Sequence, residues 1–246
     1  MKLFTKTDQG LVRTENQDNV WGEMLSDTAC AAVLCDGMGG EREGGLASAI
    51  AVDVISARIK ENFNEKMNRN SVRNLLITAV NAANSMVWDT ARQQVHDVMG
   101  TTCVAAIVYN GMAYIVNVGD SRAYHLFTQD EDDCIRQITK DHSHVQELVE
   151  RGEITEEQAR THPKRNKITR AIGAEPTVTP DYFELPLDGG DMILLCSDGL
   201  SAYGDDLDIL DICFDTSAEE CCKKLVNYAN GNGGHDNVSV AFIALD

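Results

Sequence analysis

Apolar residues recur along this 246-residue chain in two rhythms, and the alternation between them predicts its elements. A period of two suggests strands over 2–8, 19–24 and 29–35. After a Gly-rich turn at 37–45 the spacing becomes helical. Leu46, Ile50, Val54, Ile55 and Ile59 fall on one face of a helix over 46–61. A longer helix is predicted over 71–95, with Val72, Leu75, Leu76, Ala79, Val80, Ala83 and Val87 on one face and Ser71 as its N-cap. Strands resume at 102–109, 112–118 and 121–127, the first two joined by Asn110-Gly111, a strong two-residue hairpin signal. Asp130-Glu131-Asp132-Asp133 reads as a solvated loop tip. Short helices follow within 143–162, one opening at Thr155-Glu156-Glu157-Gln158. Strands near 181–185 and 191–197, helices near 205–213 and 217–230 and a strand over 237–244 complete the chain.

This order fits no regular βαβ alternation. It predicts an α+β fold of mainly antiparallel sheets covered by helices, with two sheets packed face to face so that continuous apolar strands are buried on both sides. No linker, repeat or low-complexity segment interrupts the sequence, so one domain over 1–246 is expected. A hydrophobic content of 43% supports a substantial core. The net charge of −18 argues against nucleic acid and anionic membrane as partners, since both require basic surface. No apolar run approaches the roughly 18 residues of a membrane span. The opening Met1–Asp8 has no apolar signal-peptide segment. The eight cysteines form no C-x-x-C pair, and most lie within apolar runs. They read as core residues of a reducing compartment, and a cytoplasmic location is expected.

The candidate chemistry lies in four aspartates at the borders of apolar strands. Asp36, Asp120 and Asp198 follow such runs, and Asp236 precedes one. In antiparallel pairing the end of one strand lies beside the start of its neighbour, so three exits and one entry can meet at one rim. Carboxylates packed together repel unless cations sit between them, and hard divalent cations favour oxygen ligands. Asp36-Gly37-Met38-Gly39-Gly40 can be read as turn chemistry, but a helix rather than a strand follows it. A dinucleotide loop fails because Arg42 stands where its third glycine belongs, and there is no G-K-[ST]. The reading that fits better has Asp36 bridging two cations, with the side-chain-free Gly37 bringing its carbonyl to one of them. Arg13, five residues before Asp18, suits bidentate contact with a phosphate, although a lone arginine is usually a solvated surface group. Ser121 and Arg122 read equally well as a tight turn. His142 reads as structural, with Asp141 or Ser143 capping a helix. The stretch His162–Lys167 is a basic patch that either steers an anionic substrate or is simply solvated. No histidine pair has zinc spacing, and neither a G-x-S-x-G elbow nor a C-x5-R phosphate loop occurs.

Taken together, R-x-x-N-Q-D at 13–18, D-G-M-G-G at 36–40 with Gly44 and Ala47-Ser48, G-T-T at 100–102, G-D-S-R at 119–122 and D-H-S at 141–143 form an ordered set. Asn166, Ile168–Gly173, S-D-G-L at 197–200 and G-H-D-N-V-S at 234–239 complete it. The chain thereby resembles, essentially end to end, the metal-dependent serine/threonine protein phosphatases of type 2C in their compact bacterial form. The resemblance implies a four-layer α-β-β-α sandwich, two mainly antiparallel sheets flanked by helix pairs. It also implies a binuclear Mn²⁺ or Mg²⁺ centre in a cleft at one sandwich edge. Asp36 would bridge both ions, Asp198 and Asp236 would hold the first, and the Gly37 carbonyl and, through water, Asp18 the second. Asp120, shared with Asp198, would serve a weaker third ion. Arg13 would bind phosphate, and 143–170 would form a flap beside the cleft. The implied chemistry is attack on a phosphoserine or phosphothreonine protein by a hydroxide shared between cations roughly 3.5–4 Å apart. A cognate serine/threonine kinase and a monomeric state are the family expectations. A phosphoprotein-binding regulator with low turnover and a hydrolase of small phosphate esters are the alternatives. The presence of all four metal-site aspartates and Arg13 favours an active enzyme. Many relatives carry a histidine in or just after the D-G-x-G-G loop; Met38 and Glu41 stand there in this chain, leaving the proton donor to the leaving alcohol open between a metal-bound water and Glu41.

Overall fold

The computed structural model describes residues 1–40, 43–94 and 99–246. Glu41, and the end expected for the second helix at position 95, lie outside the described residues. Among the described residues eleven strands form two sheets. The five-stranded sheet has the order β1 (Lys2–Asp8), β11 (Val238–Ala244), β10 (Met192–Cys196), β7 (Arg122–Gln129) and β8 (Asp132–Gln137). The six-stranded sheet has the order β2 (Asp18–Ser26), β3 (Ala29–Met38), β5 (Cys103–Tyr109), β6 (Met112–Val118) and β9 (Asp181–Pro186), with the short β4 (Gly100–Thr101) pairing with β3. The described pairings are antiparallel.

Strand periodicity sorts the core into three layers. In β3, Ala31, Val33 and Cys35 face α1 (Glu43–Asn62) and α2 (Arg69–Gln94), whereas Cys30, Ala32 and Leu34 face the other sheet. In β11, Val240 and Phe242 face the helix side, which holds α6 (Asp206–Phe214) and α7 (Ala218–Gly231), while Ala241 and Ile243 face inward. The result is the α-β-β-α sandwich. Burying each large apolar side chain contributes about 1.5–3 kcal/mol. Two short helices, α3 (His144–Glu150) and α4 (Glu156–Thr161), lie between β8 and β9. Thr155 caps α4 in a reciprocal capping box with Gln158. Among the described residues no helix is long and apolar enough to cross a membrane.

Several boundaries differ from expectation. β3 does not stop before Asp36 but runs through Gly37 and Met38, which pair with Thr101 and Gly100. The loop-tip reading of 130–133 holds only for Asp130 and Glu131, both at positive φ; Asp132 and Asp133 begin β8. Asp198 does not merely end a strand, since it opens a one-turn helix, α5 (Asp198–Ser201). The cap of α2 is Asn68, whose Oδ1 accepts from the Ser71 N–H at 3.0 Å, so Ser71 sits inside the first turn. Ser143, and not Asp141, caps α3.

Candidate metal centre

The inward face of both sheets is apolar along most of its length and turns polar at one end. Following every second residue, Leu34 gives way to Asp36, Val20 to Asp18, Leu195 to Ser197 and Ala241 to Ser239. Asp18 and Asp36 are direct cross-strand partners on β2 and β3. Asp198 follows β10, and Asp236 precedes its antiparallel neighbour β11. Asp120 sits in the turn by which the chain passes from β6 in one sheet to β7 in the other. The strand ends therefore bring the predicted aspartates to one rim, and the rim belongs to both sheets.

The electrostatics show how close they are. Burial, and then the charges of Asp18, Asp198, Asp120 and Asp236 in that order, push the Asp36 carboxyl well above the usual carboxylate range. Burial raises Asp18 to about 7, with the hydroxyls of Ser197 and Ser239 pulling the other way. Burial and then Asp236 raise Asp198 to about 6. Burial, then Asp198 and Asp141, raise Asp120 well above the ordinary value. Protein neighbours relieve this crowding only in part. Asp18 Oδ2 accepts from Ser197 Oγ at 2.8 Å, but the buried Asp18 Oδ1 and Asp198 Oδ1 have no hydrogen-bond partner. An orphaned buried carboxylate oxygen is costly unless a cation satisfies it.

The surroundings hold these groups rigidly. The Thr102 N–H donates to the Asp36 carbonyl at 2.8 Å, and Thr102 Oγ1 accepts from the Asp36 N–H at 3.0 Å. Ser197 Oγ also accepts from the Ser239 N–H at 2.9 Å. Asn237 Oδ1 accepts from the Gln17 N–H, while its amide donates to the carbonyls of Gln9 and Glu15, tying the loop that carries Arg13 to the start of β11. Arg13 is half exposed; its Nη2 donates to Asp236 Oδ2 at 2.6 Å, and this contact is the first cause raising its pKa. Gly37 lies so close to Gly44, at the start of α1, that neither position has room for a side chain. Ser197, Ser239 and Asn237 were not predicted as site residues. Ser197 and Asn237 flank motif aspartates and Ser239 lies three residues beyond Asp236, but the strand alternation that turns them inward becomes informative only once the two sheets are paired.

Other candidates make contacts of their own around the rim. Ser121 Oγ lies 2.7 Å from Thr102 Oγ1 in a buried pair. Arg122 forks onto Asp141 through Nε and Nη2 at 2.8–3.2 Å and reaches Tyr124. In the 162–167 patch, Arg165 lies over the ring of Tyr203, which in turn packs against His235. A cavity of about 200 Å³ runs from Asp120 and Asp198 to the underside of α3 and α4, where Val145, Arg160 and Arg165 line it.

Among the described residues no three or more His, Cys, Asp or Glu side chains form a finished cage around one ion. The donors suit an ion that keeps much of its water: hard oxygens, two of them buried and unpartnered, crowded enough to repel. Mg²⁺ and Mn²⁺ bind in this manner, through a few carboxylates with water completing the shell.

Comparison with known proteins agrees. The family model for protein phosphatase 2C matches residues 12–233. A serine/threonine phosphatase, stp, of Listeria welshimeri is 36% identical over 240 residues, covering 97% of this chain and 93% of its own. The crystal structure of the serine/threonine phosphatase Stp1 from Staphylococcus aureus superposes with a TM-score of 0.91 at 35% identity, covering 100% of this chain and 95% of its own. The catalytic domain of the phosphatase PstP, solved in complex with two manganese ions, superposes with a TM-score of 0.81 at 31% identity, covering 98% and 96%. PP2C-type phosphatases use metal ions. Fold, rim and relatives converge on one assignment: the chain belongs to the protein phosphatase 2C family and is a protein serine/threonine phosphatase.

Proposed function

We propose that the chain hydrolyses phosphoserine and phosphothreonine in proteins at a centre of two Mn²⁺ or Mg²⁺ ions held by Asp36, Asp198, Asp236, the Gly37 carbonyl and, through water, Asp18. Asp120 serves a weaker third ion. The observation that carries this reading is the pair of buried, unpartnered oxygens, Asp18 Oδ1 and Asp198 Oδ1, beside an Asp36 that four other carboxylates repel. Such a pair of ions, when bound, supplies an acidified water as nucleophile near neutral pH and offsets phosphoryl charge.

The side chains supply the rest. Arg13 is half exposed at the cleft mouth, where it orients phosphoryl oxygens and counters the charge they gain in the transition state. Its contact with Asp236 fixes the guanidinium beside the ion site. Ser197 and Thr102 immobilise Asp18 and Asp36, so little reorganisation accompanies reaction. The segment 143–170 overhangs the cavity leading from Asp120 and Asp198 and acts as a flap that selects the peptide around the phosphorylated residue. No covalent enzyme intermediate is required.

The test is Mn²⁺ binding by calorimetry alongside turnover of a phosphothreonine peptide. Asp36→Asn should lose both together while its thermal melt stays cooperative. Turnover that survives in Asp36→Asn, or in the native protein after exhaustive chelation, would exclude the metal-centred reading.

A further inference from the structure

His142 lies outside the acidic rim, yet it joins two parts of the molecule that the rim needs. It is buried, at 7% exposure, where the 143–170 segment leaves and rejoins the body. The two legs of that segment close on each other there. Ser143 bridges Ile168, the His144 N–H donates to the Lys167 carbonyl at 2.8 Å, and the Thr169 N–H donates to the His142 carbonyl at 2.8 Å. From the same residue two bonds reach the turn that carries Asp120. The His142 N–H donates to the Gly119 carbonyl at 2.9 Å, and the Gly119 N–H donates to His142 Nδ1 at 3.0 Å.

The second bond fixes the chemistry of the ring. A backbone N–H can only donate, so Nδ1 is unprotonated and the proton sits on Nε2. That proton faces Asp181 Oδ2 at 3.2 Å; Arg170 Nη1, which can only donate, also lies 2.9 Å from Nε2 and gives its proton to Asp181 Oδ1 at 2.7 Å. Arg170 Nη1 donates in addition to the Thr179 carbonyl, so Asp181 is held from behind and the imidazole cannot swing. Gly119 needs this support. Its φ is +106°, and a side chain there would strike Thr102 at 2.6 Å, so the turn has a shape that only glycine adopts.

We propose that His142 is a positioning residue: through Nδ1 it clamps the Gly119–Asp120 turn to the base of the flap and thereby sets Asp120 at the metal centre. This rests on the reading of Asp120 as the ligand of the weakest ion, and it assigns a structural cause to that site's geometry. It also links the flap base and that site, because the same imidazole and backbone hold both.

The experiment measures Mn²⁺ binding isotherms from the electron paramagnetic resonance of the free ion, without substrate. It compares the native protein with His142→Asn, His142→Gln, His142→Leu and Asp120→Asn, each checked by thermal melt. Asparagine places its Oδ1 where Nδ1 stood and keeps the acceptor for Gly119; glutamine and leucine do not. The expected result is a weakest site loosened by at least about tenfold in Gln and Leu, with the tighter sites and the Asn variant within about threefold of native. If the Leu variant does not melt cooperatively, the Asn and Gln pair carries the comparison. The proposal is overturned if Gln binds as the native protein does, or if Asn is as impaired as Gln. If Asp120→Asn leaves the weakest site intact, the assignment of Asp120 fails and this role for His142 fails with it. Loss of that site in Asp120→Asn alone removes only the role of His142.

Discussion

Replacing Gly37 by alanine adds one methyl group at the most constrained point of the rim. The new Cβ would lie 2.1 Å from the Gly44 carbonyl oxygen, 2.3 Å from its carbon and 2.7 Å from the Gln17 carbonyl oxygen. All three are backbone atoms, so no side chain can rotate away. Restoring an ordinary 3.4 Å contact requires β3 and the start of α1 to part by about 1.3 Å. Overpacking of this kind costs about 1–3 kcal/mol, and a clash against backbone on two sides belongs at the upper end. For a chain of this size about 3 kcal/mol lowers Tm by roughly 6–12 °C. The displaced peptide carries Asp36, and misplacement by about 1 Å at a reacting centre costs on the order of 100-fold in rate. The assay is a thermal melt in EDTA together with kcat/KM on a phosphothreonine peptide at saturating Mn²⁺. Gly231 is the control. It ends α7 with no atom within 4 Å of an added Cβ, and alanine there should be neutral or stabilising by about 0.4–1 kcal/mol. A Gly37→Ala protein that melts within about 1 °C of native and keeps its rate within about threefold would refute the steric argument.

Two further outcomes follow from the same rim. Ser197→Ala removes the donor to Asp18 Oδ2 and the acceptor of the Ser239 N–H at once, so it should cost about 1–3 kcal/mol and weaken Mn²⁺ binding about 10–100-fold, read by melt and calorimetry. In EDTA, Asp18 and Asp198, raised to about 7 and about 6, retain protons in the folded state that an unfolded carboxylate releases near pH ~4. The folded state then binds more protons than the unfolded one between about pH 4 and 7, and stability falls as pH rises through that window. His142, lowered by burial, works in the opposite sense, so the comparison is with Asp18→Asn, whose Tm should fall less between pH 5 and 7. Mn²⁺ affinity should climb over the same range as the ion displaces those protons. A native Tm that tracks that of Asp18→Asn across the range would contradict the assignment.

The long elements were legible because their apolar period is set by burial. The runs at 29–35 and 112–118 are continuous since both faces of these strands are covered, and α2 keeps its helical stripe because one side packs on the six-stranded sheet. What the chain hid depends on partners distant in sequence. β8 is an edge strand of Asp-Asp-Cys-Ile-Arg-Gln, exposed or half-buried throughout, and only its pairing with β7 makes it a strand. β4 has two residues and exists because β3 extends to meet it. The predicted aspartates fell where strand ends placed them, and Arg13 fell beside Asp236. Ser197 stood in S-D-G-L with no role assigned, because the oxygen it serves lies 179 residues away. His142 stood in the D-H-S stretch and read as structural, but its role was hidden, since the reason for its imidazole is a backbone N–H at Gly119 and a carboxylate at Asp181.

The acidic rim is a seam: Asp18 and Asp36 come from one leaf of the sandwich, Asp198 and Asp236 from the other. A cation drawn between them would rivet the leaves as well as prepare the reaction. Chelation would thus loosen the mouth of the sandwich before its middle, and amide exchange should quicken first around Gln17, Thr102 and Ser239. Catalytic readiness and the mechanical closure of that end would then be governed by one and the same occupancy.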